Sequence, residues 1–330
     1  MALHTAGVID VHAHVILAET FGAAGELGPE MGGQTGDSPW FRVGDYRLDG
    51  VRYQGSAFMN TDLRLQRMAA AGIDFQVISP NPLTFLHFID PKVAIRFCQI
   101  HNDALAKVCV ANASRLAGLA ALPMQNIPAA IAELERAVAD LGLLGGYIGT
   151  DMPLPLDDVA MDPFYEACVR LNVPLFLHPS PAGIDGPKGD ANLRDYDLDV
   201  VIGFAAQEAL AVARLIYGGV LDRHPGLDIC ISHGGGSTGY LIGRMAMAAR
   251  KRPWSSEAIK ADGAFEDRLS RLWFDNHLNN DNSLKMLTDI VGEDRLVFGT
   301  NFSGWDAPDD LASHLPAPKL ADNARRLLRT

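Results

Sequence analysis

This 330-residue sequence lacks the signatures of several large protein classes. Its four cysteines, Cys98, Cys109, Cys168 and Cys230, lie far apart and outside any CxxC spacing. That excludes a disulfide framework or a thiolate zinc cluster as the organising device, and predicts buried free thiols in a reducing compartment. No 18 consecutive residues are apolar, so a membrane span is not expected. The N-terminal "MALHTAGVIDVHAH" carries neither the basic region nor the apolar core of a secretion signal, which predicts a cytoplasmic protein. Positive charge is in deficit, 28 Lys and Arg against 40 Asp and Glu, and a net charge of −12 argues against nucleic acid as a partner. No GxGxxG follows an early strand, no internal repeat is visible, and no Pro- or Ser-rich linker divides residues 1–330, so one domain is expected.

What the sequence has is a rhythm. Eight short apolar runs read as strands: 7–14, 74–80, 116–123, 146–150, 173–179, 227–233, 271–278 and 296–301. Amphipathic stretches separate most of them, for example "IPAAIAELERAVADLG", with apolar positions three and four apart. Alternation of this kind predicts a (β/α)₈ barrel ahead of a doubly wound sheet. Residues 17–60, rich in glycine and aromatic residues, break the rhythm and read as an insertion after the first strand.

The polar residues collect at strand ends. His12 and His14 are two apart, so they project from one face of the first strand, a spacing that suits a cation favouring nitrogen ligands at about 2 Å. His178 closes the fifth strand, His233 the sixth and Asn301 the eighth. In a (β/α)₈ barrel these ends meet at one rim, where active sites lie. His87 reads either as a loop histidine or as a pocket wall beside Phe85. His277 stands near a strand end without an obvious spacing partner, while His101 and His224 read as structural or exposed.

The stretches "DVHAH", "FLHP", "SHGGG" and "FGTN" fall in an order and spacing that resemble the amidohydrolase superfamily. The likeness is to its branch of 2-amino-3-carboxymuconate-6-semialdehyde decarboxylase-like enzymes, and it covers most of residues 8–305. "CVANASRLAGLAALPMQ", "LGLLGGYIGT" and "MLTDIVGEDRLVFGT" support it. The resemblance implies a barrel with one divalent metal, zinc before manganese. It implies His12, His14 and His178 as ligands and His233 as the residue that moves protons beside the metal. "WFRVGD" points to Arg42 as a grip for a substrate carboxylate. "LIGRM" points to Arg244 as a residue reaching the neighbouring subunit's site in a homodimer.

The chain departs from the family at one place. Where the family has a metal-binding aspartate followed by Tyr-Pro, this sequence has Asn301 followed by "FSGWD". Asn301 through its carbonyl oxygen, or Asp306 five residues on, is the expected fourth ligand; Asp275 is a further carboxylate candidate. The implied activity is metal-dependent, non-oxidative decarboxylation of a carboxylated muconate semialdehyde or an aromatic acid. The alternatives are a hydrolase or hydratase acting on a ring-cleavage product, and a binding protein without catalysis.

Overall fold

The computed structural model describes residues 2–330, apart from the side chains of Ala2 and His314. Twelve strands form in chain order: β1 (Ile9–Val15), β2 (Glu30–Gly32), β3 (Trp40–Val43), β4 (Tyr46–Asp49), β5 (Phe75–Pro80), β6 (Leu116–Gly118), β7 (Ala120–Ala121), β8 (Gly146–Gly149), β9 (Leu175–His178), β10 (Ile229–Ile231), β11 (Trp273–Asp275) and β12 (Leu296–Val297). All eight predicted runs hold a strand, each shorter than its apolar stretch.

Two parallel sheets, β1-β5-β6 and β7-β8-β9-β10-β11-β12, make one ring. A single residue, Leu119, separates β6 from β7, so residues 116–121 pass from one sheet into the other. At the opposite seam, the Val11 N–H donates to Phe298 C=O at 2.9 Å and the Phe302 N–H to His12 C=O at 3.2 Å. The ring is thus a (β/α)₈ barrel, with β6 and β7 acting as its third strand. Helices fill the intervals. Residues Ile127–Ala139 begin where the Asn126 side chain accepts from the Ala129 N–H, with Pro128 in the first turn. The segment Leu198–Tyr217 has the length and composition to cross a membrane; here it forms two helices, Leu198–Val201 and Gly203–Tyr217, in the interval after β9.

Alternate strand residues fill the barrel interior. Phe75, Val77, Leu119, Tyr147, Phe176, Cys230, Trp273 and Val297 share one buried cluster with Ala321, Ala324 and Leu327 of the last helix. The other strand face, including Leu175, Leu177, Ile229 and Ile231, packs with the surrounding helices. All four cysteines are free, and Cys98, Cys168 and Cys230 are buried.

The insertion is ordered. β2, β3 and β4 pair antiparallel, with Glu30 opposite Arg42 and Val43 opposite Tyr46 across a two-residue turn containing Gly44 at φ 55°. Phe41, Val43, Tyr53 and Phe58 bury a separate core against Leu83, Leu86, Phe97 and Ile184.

Candidate metal centre

The centre begins with an irregularity in β1. Ile9 pairs with Phe75 and Asp10 with Gln76, but the next partners are Ala13 with Ile78 and His14 with Ser79. Val11 and His12 therefore stand opposite Val77 alone, which is a β-bulge. Strict alternation would place Asp10, His12 and His14 on one face. Across the bulge, Val11 joins the interior cluster, Ala13 joins the helix-facing core, and both histidines point inward. Asp10 stays behind the strand, where its carboxylate accepts from the His12 N–H (3.0 Å), Gln76 Nε2 (2.8 Å) and Thr300 Oγ1 (2.8 Å). It ties β1 to the turn after β12.

His12 Nε2 and His14 Nε2 are 3.3 Å apart. Their other ring nitrogens are fixed, His12 Nδ1 by Asp275 Oδ2 at 2.8 Å and His14 Nδ1 by Ser79 Oγ at 3.0 Å and Pro80 C=O at 3.2 Å. His178 Nδ1 donates to Pro179 C=O at 2.6 Å, whereas its Nε2 is buried without a partner. One ligand nitrogen from each of the three rings lies within 4.8 Å of the others. Burial, reinforced by the neighbouring rings, holds His14 and His178 well below the usual histidine range, and burial also lowers His12 despite Asp275. Neutral imidazoles with oriented outer nitrogens and converging inner ones are what a divalent cation requires. The donors fit such an ion, and the unpartnered His178 Nε2 is the sharpest sign of it.

His233 packs against this set, its ring centroid 4.9 Å from those of His12 and His178. Its backbone is left-handed, φ 46°, at the start of the Gly234–Gly236 turn. Its Nδ1 is 2.7 Å from Glu208 Oε1, and Ser232 Oγ donates to the same oxygen at 2.5 Å. Burial alone would lower the His233 pKa, but the Glu208 carboxylate, helped by Asp275 and Asp306, raises it to about 9.

The eighth strand end is built differently. Asn301 is buried with φ 45°, its Nδ2 donates to Asp306 Oδ1 at 2.6 Å, and Asp306 Oδ2 lies 3.1 Å from His277 Nε2. Burial would raise the Asp306 pKa, but the His277 and His233 rings and the Asn301 amide hold it well below the carboxylate range. His277 is 5.6 Å from His12 and 5.7 Å from His233, centroid to centroid. His277 and Asp306 also line a cleft of about 1080 Å³.

Sequence reasoning passed over Glu208 and left His277 open. Glu208 had a signal, as an acidic residue in the otherwise apolar "FAAQEALAV". For His277 the signal was its spacing of two from Asp275, the same spacing as His12 and His14. Phe85 and His87 stack at 5.2 Å with 6° between their planes, and Phe85 adjoins Tyr147. His87 Nε2 accepts from the Gly149 N–H at 3.0 Å, which places its proton on Nδ1, buried and without a partner. Arg42 is engaged inside the insertion, donating to Glu30 Oε2 (2.7 Å), Gly44 C=O (2.7 Å) and Glu26 C=O (3.1 Å). Arg244 is exposed on the helix Thr238–Lys251. Neither arginine touches the histidines. Of the other histidines, His224 pairs with Asp162 at 2.9 Å and His101 is buried in the helix Pro91–Ala111.

Known proteins resemble this chain in sequence and in fold. The sequence is 33% identical over 242 residues to 2-amino-3-carboxymuconate-6-semialdehyde decarboxylase from Dictyostelium discoideum, a match spanning 73% of this chain and 66% of that protein. It is 29% identical to gamma-resorcylate decarboxylase from Rhizobium radiobacter over 89% of this chain and 93% of the relative. Among solved structures, a dihydroxybenzoic acid decarboxylase from Polaromonas sp. with bound manganese and the inhibitor 2-nitroresorcinol shares the fold. It has a TM-score of 0.74 and 23% identity, and the match covers 98% of this chain and 97% of that one. The amidohydrolase family model matches residues 9–330, so this chain belongs to the amidohydrolase family.

Proposed function

We propose that this protein is a metal-dependent, non-oxidative decarboxylase acting on a small carboxylated substrate, either a muconate semialdehyde or an aromatic acid, in aromatic compound catabolism. The observation that carries the reading is the buried, unpartnered His178 Nε2 beside the paired Nε2 atoms of His12 and His14. These three residues hold one divalent ion. Zinc suits the nitrogen donors, and manganese is the ion bound in the Polaromonas decarboxylase. When bound, the cation supplies Lewis-acid charge for the carboxylate and adjacent oxygen of the substrate.

Decarboxylation replaces a carboxylate with hydrogen. One proton reaches the substrate carbon, the carbon–carbon bond breaks, its electron pair returns to that carbon, and carbon dioxide leaves. His233 holds that proton: Glu208 fixes its Nδ1 and leaves Nε2 as the free end of the ring. Glu208 also offsets the repulsion that a cation imposes on a charged ring. The parallel Phe85–His87 pair is a wall for a planar substrate, and the free His87 Nδ1–H is a donor for one of its oxygens. Asp306 steadies the opposite side through His277 and Asn301.

The arginines complete the proposal. Arg42 grips a substrate carboxylate by exchanging Glu30 for it, and Arg244 serves the neighbouring site of a cytoplasmic homodimer. Mixing inactive Arg244→Ala chains with inactive His12→Ala chains then restores part of the activity. No recovery after verified subunit exchange removes Arg244 from the site. The direct test of function is product analysis on hydroxybenzoates and carboxylated muconate semialdehydes. Release of one carbon dioxide per turnover, abolished by a chelator and restored by the metal, is expected. Acid formation without carbon dioxide establishes a hydrolase or hydratase, and metal binding without any turnover establishes a binding protein.

A further inference from the structure

We propose that Asn301 and Asp306 act as one unit at the metal site, the amide standing beside the three histidines and the carboxylate supplying negative charge one hydrogen bond further out. This rests on the reading that His12, His14 and His178 hold a metal.

The geometry ties the two residues together in several independent ways. Phe302, next to Asn301, bonds through its N–H to the His12 carbonyl, which seats the turn beside the first ligand. The backbone then reverses at once: Asn301 and Ser303 are left-handed, φ 45° and 63°, and the Gly304 N–H donates to Asn301 C=O at 2.7 Å. This reversal brings Asp306 back to Asn301. An amide has two unlike ends, and here Nδ2 is committed to Asp306 at 2.6 Å, so Oδ1 is the end left to accept. A carboxylate on the N–H side of an amide polarises it and makes its oxygen more negative. Asp306 is anchored in turn by Asn279 Nδ2, which donates to its backbone carbonyl at 2.7 Å, and its other oxygen lies 3.1 Å from His277 Nε2.

Asn301 and Asp306 are therefore not alternative fourth ligands. They divide two tasks between them: position near the cation at 301, charge at 306. The arrangement has a consequence that sequence alone does not show. Asn301→Asp is nearly isosteric, but here it would set two carboxylates at the separation now spanned by a hydrogen bond. The compensating partner is Asp306→Asn, which restores a donor and an acceptor with their roles exchanged.

The test is a double-mutant cycle on the full-length chain, reading zinc affinity by chelator competition and thermal stability with and without zinc. Asp306→Asn is expected to weaken zinc binding about tenfold, the scale of one charge-assisted hydrogen bond. Asn301→Asp is expected to lower the melting temperature of the zinc-free chain. The exchange variant Asn301→Asp/Asp306→Asn is expected to recover that temperature and to bind zinc more tightly than the native protein. An exchange variant that folds where Asn301→Asp alone does not supports the unit equally. Additive losses in the cycle, zinc affinity unchanged in Asp306→Asn, or an exchange variant that fails to fold would overturn it. His12→Ala separates the two levels. If it loses zinc while the cycle is additive, only the unit fails; if it keeps zinc, the metal site itself fails.

Discussion

The two sides of the candidate metal centre reach it by different means. His12, His14 and His178 leave the ends of β1 and β9, and the outer nitrogen of each ring is held by a neighbouring strand end or backbone carbonyl. Asn301, Trp305 and Asp306 lie on the reversed turn after β12, which is held by its left-handed backbone, short-range backbone bonds and the Asn301–Asp306 contact. Strands of a closed barrel fix direction to within a rotamer, so the first side resists adjustment. The second side is held by hydrogen bonds that exchange one partner for another at modest cost. The comparison separates where the metal is bound from where its charge environment is set.

The largest effect should come from the strand side. His178→Ala removes one of three ligand nitrogens, the one that is buried without any other partner. Purified His178→Ala is expected to contain no stoichiometric metal and to lack activity; full metal content by elemental analysis would dissolve the distinction between the sides. Asp275→Asn comes next. It keeps the size of the residue but removes the charge that fixes His12 Nδ1, and also weakens the acceptor for the His277 N–H at 3.1 Å. Loss of an orienting carboxylate of this kind costs about 10- to 100-fold in metal affinity. A loss no greater than that from changes in the turn would mean the strand side is not the more rigid one.

The same contrast explains what was legible in the sequence. Eight strands could be read because both faces of a parallel barrel are buried, which leaves near-continuous apolar runs such as "VPLFLHP". His12, His14, His178 and His233 could be read because strand ends converge in such a fold. The bulge at Val11–His12 could not, since it is a relation between β1 and β5 and leaves no mark on either alone. Glu208 was hidden for a related reason: it reaches His233 from a helix 25 residues earlier, a pairing set by packing. The Asn301–Asp306 contact needed the turn geometry, and the two residues read separately looked like rivals.

Gly304→Ala tests the turn from within. A Cβ there would lie 2.6 Å from Asn301 Cγ and Nδ2, so the amide must swing or the turn must open. Overpacking of this kind costs about 1–3 kcal/mol. The melting temperature is expected to fall, and metal affinity to fall by a few-fold because three histidines remain in place. If affinity is unchanged while stability drops, the Asn301 amide does not contribute at the cation.

The smallest effect is expected at Trp305. Its ring is 73% exposed, although both neighbours in the turn, Gly304 and Asp306, are engaged with Asn301. An exposed indole contributes little to folding, so Trp305→Ala should shift stability by no more than about 0.5 kcal/mol and leave metal content intact. A large aromatic face held beside the rim can still meet a planar substrate, where stacking is worth about 1 kcal/mol. The expected signature is therefore a KM raised about fivefold with kcat unchanged, together with loss of any fluorescence quenching that substrate produces in the native protein. A fall in kcat, or loss of metal, would place Trp305 in the machinery of the turn and not at its mouth. The contrast between a rigid ligand side and an adjustable charge side would then need to be drawn one residue further out.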